Sequence, residues 1–463
     1  EEKANQLLEI AGPDLRVGRL LVPLHFARYF MTAGRNPQAG NNLANSITLY
    51  NTLITADDGA PNEELWQELA PTETLERTRN VLDEYGEWGE AARSRVMRET
   101  DMRWLVERTT LWRTGINAAR GGRPDVRTAR EMARWMALHV APLEENEVLD
   151  RPMNLLLRGR SSRPQAAWAL SELYRQVGLP CRVIEVAGED LLVVSPPGDE
   201  PVLVNPWMGV PLLDLETGRP LRLEQLQQDA APYNALAELA GFQPAEAGAF
   251  DQTAPPIAAH PRAFYDRMVT YADMVALLPN KPATGLRPSD YGEAKIAIWS
   301  GVMQQTLPRS RPVWQWRLRR AAEVTALLEG ARQAQLLSAP QRAVQQWRNT
   351  REALRQMLAM ADVPAGKEVL EQAAEDAVWF AALAAFDAGE LQNARTALES
   401  YLGDYPEGRW RLNARLLMAE IQAAGGDEDS AKAAWDNLPV SRRLYGAYRA
   451  RGYLRPAAEA ANN

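Results

Sequence analysis

The stretch MNLLLRGRSSRPQAAWALSELYRQVGLPCRVIEV, residues 153–186, continued by AGEDLLVVSPPGDEPVLVNPWMGVPLL, residues 187–213, has a legible order of parts. A glycine turn leads into a capped helix, then a Gly-Leu-Pro turn, then three short apolar strands. Ser161 or Ser162 is placed as an N-cap, its side-chain oxygen able to accept from amides of the first turn. Pro164 follows where a missing N–H costs nothing. Ala166, Ala169, Leu170, Leu173 and Val177 recur at spacings of three and four, which gives the helix one apolar face. Gly178 suits a left-handed C-terminal conformation, and Pro180 prevents continuation. Residues 181–186, 191–194 and 202–204 are β-branched and aliphatic runs bounded by Gly, Pro and Asp. One helix on a small, mostly antiparallel sheet is predicted.

These residues resemble the transglutaminase-like family, a papain-related fold. Family members carry a nucleophilic Cys at the start of a buried helix, followed by a Gly-Ile-Pro-Ala-Arg turn, here Gly178-Leu179-Pro180-Cys181-Arg182. A strand bearing His and a strand ending in Asp-Pro come next. Counting back from Gly178, the nucleophile position falls on Arg163, with Ser162 the nearest substitute. The His strand corresponds to residues 191–194, with Glu189 or Asp190 at its mouth and no histidine. The Asp-Pro corresponds to Asn205-Pro206. All three catalytic positions depart from the family pattern, at Ser162, Arg163, Asp190 and Asn205. The resemblance covers residues 125–225 and looks especially like catalytically empty versions in planctomycete-type bacterial proteins, which have a similar arginine-glycine turn and Asn/Asp-Pro…Gly-Val-Pro segment. It implies a pseudoenzyme of the bacterial cell envelope.

The chemistry of the residues points the same way. Thiol catalysis needs a thiolate, which needs a base or positive field and access. The single cysteine, Cys181, sits at a turn-to-strand step where a small buried side chain is expected. Ser162 as a replacement nucleophile needs a histidine or lysine base within hydrogen-bond reach. The histidines are His25, His139 and His260, and none is in the motif. His139, on a helix predicted at 126–140, is the candidate for a Ser162–His139–Asp190 site, against an interior or surface role.

Around this stretch, 463 residues leave room for several domains with cores of their own. The composition, 46% hydrophobic and 24% charged, is that of globular chains. A formal charge of −8 argues against a general nucleic-acid binder, which needs a basic footprint. Only Lys3, Lys281, Lys295, Lys367 and Lys432 are lysines, an arginine bias that fits a GC-rich genome better than a function. One cysteine excludes an internal disulfide framework and a cysteine-built zinc site, and no cofactor or metal is expected. The apolar run at 15–30 contains Arg19, His25 and Arg28, so no membrane span is predicted. An extracytoplasmic location, periplasm or cell envelope, is expected from the resemblance, with a signal peptide removed ahead of Glu1.

The domain organisation reads as a helical N-terminal domain at 1–120, a degenerate transglutaminase-like domain at 125–240, a Pro-rich hinge with an embedded helix at 241–310, and a tetratricopeptide-like helical domain at 311–463. In the first, Leu20, Leu21, Leu24 and Tyr29 form an apolar stripe, a Gly/Pro/Asn-rich break covers 34–42, and helices are predicted at 43–53, 72–85 and 90–114. Asp57-Asp58 lacks the spacing of a calcium loop and reads as a loop. The hinge carries a helix at 262–278. Residues 309–320 are basic and aromatic. Arg311, Trp314, Trp316 and Arg317 could meet an acidic partner, phosphate or lipid headgroups, or simply open a helix at 313–329. Beyond lie alanine-rich amphipathic helices at 340–361, 367–388, 391–405 and 411–424. Two units repeat around Gly389 and Gly425-Gly426, each ending in a proline, a pattern similar to tetratricopeptide repeats.

The fold class expected is mainly α, with a small α+β transglutaminase-like core and a C-terminal helical repeat array. The function expected is that of a non-catalytic structural or interaction protein, partnered by other proteins or by itself. Two other readings remain: a peptidase or amidase with Ser162 as nucleophile, and a peptide-binding module in which Arg160, Arg163 and Arg182 near the empty cleft choose acidic ligands. Fold alone does not decide among these.

Overall fold

The computed structural model describes residues 36–55, 62–69, 72–84, 89–143, 151–246, 248–252, 255–274, 291, 296–299, 302, 319–337, 340–360 and 364–454. The described residues are mainly α-helical, with eighteen helices, a four-stranded sheet in sequential order and a two-stranded parallel pair. The stripe at 20–29, Asp57-Asp58, and the basic cluster with Arg311, Trp314, Trp316 and Arg317 lie outside them. No described helix is long and apolar enough to cross a membrane.

The central stretch forms as its residues dictate. The helix is Arg163–Gln176, and its apolar positions Ala166, Ala169, Leu170 and Leu173 are buried. Gly178 adopts φ +80°, and the Leu179 amide reaches back to the Tyr174 carbonyl at 3.0 Å, a Schellman-type closure that a Cβ would strain. Strands Cys181–Val186, Glu189–Val194, Val202–Asn205 and Val210–Pro211 follow. Leu192 faces Val204 and Asn205 faces Val210 in antiparallel register.

The chain divides into two units, each gathered from three segments. The first comprises residues 1–116, 171–183 and 252–306. Two helix expectations are corrected here. The break at 34–42 is instead the start of helix Asn36–Ile54, because Pro37 sits in the first turn, where its missing N–H is harmless. The single helix expected at 90–114 is two, Gly89–Arg93 and Glu99–Ala118. Between them the backbone is claimed by side chains. Asn51 both donates to and accepts from Met97, Asp101 accepts from the Arg98 amide, and Arg267 donates to the carbonyls of Ala91 and Ser94. The helix expected at 262–278 begins as the 3-10 turn Pro261–Phe264 before Asp266–Met274.

The second unit comprises residues 117–170, 184–251 and 307–463. Helix Val126–His139, capped by Asp125, carries ten buried residues and is its centre. The seven helices Arg319–Leu336, Pro340–Ala359, Pro364–Asp387, Leu391–Asp404, Arg411–Ala424, Glu428–Asp436 and Val440–Ala450 pack consecutively, each on the next. Helix Arg411–Ala424 also packs on helix Val126–His139.

Charge inside this unit is compensated closely. Glu420, fully buried, receives Arg134 on one oxygen and Arg449 on the other, the latter at 2.7 Å. The Tyr445 hydroxyl accepts from Arg134 Nε at 3.0 Å and donates to Glu420 at 3.1 Å. Removing one member of such a group leaves the others charged and dry. Glu420→Ala is expected to cost about 3–5 kcal/mol, read as a lowered urea midpoint with near-UV dichroism as the probe.

Candidate functional site

The positions that the resemblance marks as catalytic all lie in the second unit. Ser162 stands at the N-cap of helix Arg163–Gln176, as the sequence predicts, but caps in an unexpected way. Its amide donates to the Gln165 side chain at 2.9 Å, the reciprocal half of a capping box, while its buried hydroxyl has no hydrogen-bond partner. Among the described residues no base hydrogen-bonds that oxygen.

Arg163, Glu189 and Asn205 come together. The Arg163 guanidinium pairs with Glu189 Oε1 and lies over the Trp207 ring, 4.2 Å from its centroid. Glu189 Oε2 accepts from Asn205 Nδ2 at 3.2 Å, and Asn205 Oδ1 accepts from the Met208 amide at 2.9 Å. Helix start, strand mouth and strand end are therefore joined by a guanidinium–carboxylate–amide chain. It holds no group that can become a nucleophile and no free base.

The turn after Asn205 is held close to helix Val126–His139. At Gly209, with φ +68°, a Cβ would meet the Ala137 amide at 2.6 Å and the Ala133 carbonyl at 2.7 Å, so only glycine passes.

Asp190 is the next residue along the strand from Glu189 and is half-buried. Burial pushes its carboxyl up to about 7; the Glu185 carboxylate adds to the rise and Arg163 opposes it. The turn Ala187-Gly188, both with positive φ, is the two-residue hairpin type that sets strands Cys181–Val186 and Glu189–Val194 side by side and Glu185 close to Asp190.

The other candidates are committed elsewhere. His139 bonds the Trp135 carbonyl through Nδ1 at 2.9 Å and Asp387 through Nε2 at 3.1 Å, and stacks on Trp135 at 4.1 Å, so the Ser162–His139–Asp190 site does not form. His260 accepts from the Arg262 amide, within the first unit. Cys181, also in the first unit, is buried with Sγ 3.3 Å from Ser171 Oγ, and burial raises its thiol to about 11. At neutral pH it is neither thiolate nor accessible. Arg160 is half-buried on the short strand Arg160–Ser161, close enough to Asp376 to act on its charge. Arg182, in the first unit, donates to the Tyr291 carbonyl at 3.0 Å and lies over the Tyr291 ring.

Two residues of the site escaped the sequence reading. Trp207 was marked only by following Asn205-Pro206. Tyr233, on helix Ala231–Ala240, is fully buried against Phe242 and Phe250, and burial raises its hydroxyl to about 12 while Arg163 opposes the rise. Among the described residues no group of three or more His, Cys, Asp or Glu could hold a metal ion.

No protein-family model, curated protein or solved structure matches the chain.

The Asp190 carboxyl titrates near 3.8 when unfolded and near 7 when folded, so the folded state is penalised above pH 7 and progressively relieved as pH falls. Asp190→Asn is expected to stabilise the protein at pH 8 by on the order of 2 kcal/mol. The gain should shrink through pH 7 and vanish below the ordinary aspartate range, measured by urea unfolding across a pH series.

Proposed function

We propose that this chain is a non-catalytic interaction or structural protein of the bacterial cell envelope, built on a transglutaminase-like core that has lost its chemistry. The observation that carries the reading is the Arg163–Glu189–Asn205 chain. Where the family resemblance requires thiol, imidazole and carboxylate, Arg163 and Glu189 neutralise each other instead and Asn205 donates to the carboxylate. An arginine does not attack a carbonyl, and a carboxylate locked between a guanidinium and an amide is a poor base. Burial of Cys181 removes the remaining thiol from consideration.

The helical array supports the binding half of the proposal. Gly389 and Gly426 both take positive φ, at +76° and +83°, at the turns before helices Leu391–Asp404 and Glu428–Asp436. Each places a glycine turn between paired alanine-rich helices, as tetratricopeptide-like repeats do, and arrays of that kind present extended binding surfaces.

Intact-mass measurement after treatment with a fluorophosphonate and with iodoacetamide tests the loss of chemistry. The native chain is expected to stay unlabelled, and the urea-unfolded chain to take up iodoacetamide on Cys181. Rapid labelling of native Ser162 that disappears in Ser162→Ala would overturn the reading in favour of a serine hydrolase.

A further inference from the structure

Between residues 309 and 355 the sequence holds ten arginines against three glutamates, in a chain whose formal charge is −8. The described part of this block includes helix Pro340–Ala359. Its apolar side, Ala343, Trp347, Thr350 and Leu354, is buried within the second unit. On the adjoining face Arg348, Arg351 and Arg355 follow at spacings of three and four, one stripe of a helix. Arg348 and Arg355 are exposed and Arg351 is half-buried.

Several basic residues of the array have carboxylates one turn away: Lys367 with Glu371, Arg395 with Glu399, Arg411 with Glu407. Arg415, Lys432 and Arg443 are exposed without a salt bridge among the described residues, but they do not form a row of three on one helix. On helix Pro340–Ala359 the one acid is Glu352, which pairs with Arg355 in an exposed contact at 3.0 Å. Arg348 and Arg351 have no carboxylate partner among the described residues. Arginines aligned without counter-charge repel one another at this spacing, and an external row of carboxylates relieves that.

The geometry points to a docking stripe for an acidic helical segment of a protein partner, with carboxylates at i, i+3 and i+7 facing Arg348, Arg351 and Arg355. Planar guanidinium forks pair with carboxylates in two-point contacts, and arginine is enriched in protein interfaces. A membrane surface fits less well. A helix that lies on lipid inserts its apolar face, whereas the apolar face here is buried in the protein and the residues beside the arginines include Gln345, Asn349 and Gln356. This inference rests on the reading of the chain as a binding protein and adds the chemistry of what it binds.

The test uses the full chain and a fluorescein-labelled helical peptide with Glu at i, i+3 and i+7, beside the same peptide with Gln at those places. Fluorescence anisotropy is expected to show saturable binding of the Glu peptide, at least about tenfold tighter than the Gln peptide, and weakened by added salt as exposed ion pairs are screened. Charge reversal of Arg348, Arg351 and Arg355 to Glu should cost about tenfold or more. Arg342→Glu, on the opposite shoulder of the same helix, should change affinity less than about threefold, since a remote exposed charge is screened. Equal binding of the two peptides, equal loss in Arg342→Glu, or binding only to vesicles containing phosphatidylserine would overturn the inference. Failure here together with an unlabelled native chain leaves the non-catalytic reading standing, whereas covalent labelling of Ser162 removes that reading whatever the peptides do.

Discussion

A buried helix end has carbonyls that water cannot reach, and each must find a donor. Helix Val126–His139 ends in this way, inside the second unit. Asn413 Nδ2 donates to the carbonyls of Ala137 and Leu138 at 3.3 and 3.2 Å. Arg332 Nη2 donates to that of His139 at 3.2 Å, and Arg442 Nη2 to that of Val140 at 2.8 Å. Arg332 Nε and Nη1 go to the Leu156 carbonyl and the Gln335 side chain, and Arg442 Nη1 goes to the Trp207 carbonyl. Neither has a salt-bridge carboxylate among the described residues; burial depresses both, to about 9 and about 10, with the Asp387 charge opposing the fall at Arg332, yet they stay charged at neutral pH. The negative end of the helix adds counter-charge to both. Three helices of the array thus hold one helix of the core, and the array is part of that core's polar accounting.

Other buried arginines are held by carboxylates. In the first unit Glu172 receives both Arg108 and Arg175, and Asp101 receives Arg267 at 2.7 Å. In the second, Arg163 occupies the start of a helix where the resemblance places a nucleophile, and Glu189 and Asn205 close around it. A guanidinium offers five donors in one plane and resists deprotonation. It can therefore bridge elements that a lysine, with one compact charge, would not. The arginine-heavy composition, which as a list of residues fits a genomic bias, is a large part of how both units are tied internally.

The central helix, the Gly178 turn, three of the four sheet strands and the array helices between residues 340 and 424 were legible because each rests on local information, whereas the two-residue strand Val210–Pro211 is too short to show a pattern. Spacing of apolar residues, glycine and proline punctuation, and strand-length runs suffice for these. The kink at residues 94–98 was not, because Asn51 and Arg267 impose it from far along the chain. Helix Asn36–Ile54 was shortened in the reading because Pro37 and Gly40 look like breakers, although a proline in a first turn is no obstacle. At the site, the resemblance marks Arg163, Glu189 and Asn205, and the structure places these three in contact. That Glu189 rather than Asp190 turns toward Arg163 follows from strand alternation, which a sequence shows only once the strand's first residue is known. Tyr233 carried no signal at all, since its approach to Arg163 is wholly tertiary.

The donors for the end of helix Val126–His139 have a consequence in time. Arg442 lies 305 residues after the Ala137 carbonyl it also serves. At the usual pace of synthesis the acceptor waits on the order of 15–60 seconds for that side chain to leave the ribosome. Until then the carbonyls and the apolar side of the helix are exposed together, the condition under which nascent chains are captured by holdases or aggregate. The second unit is therefore complete only once residue 442 has left the ribosome, and a ribosome that stops before it releases a core with an open end.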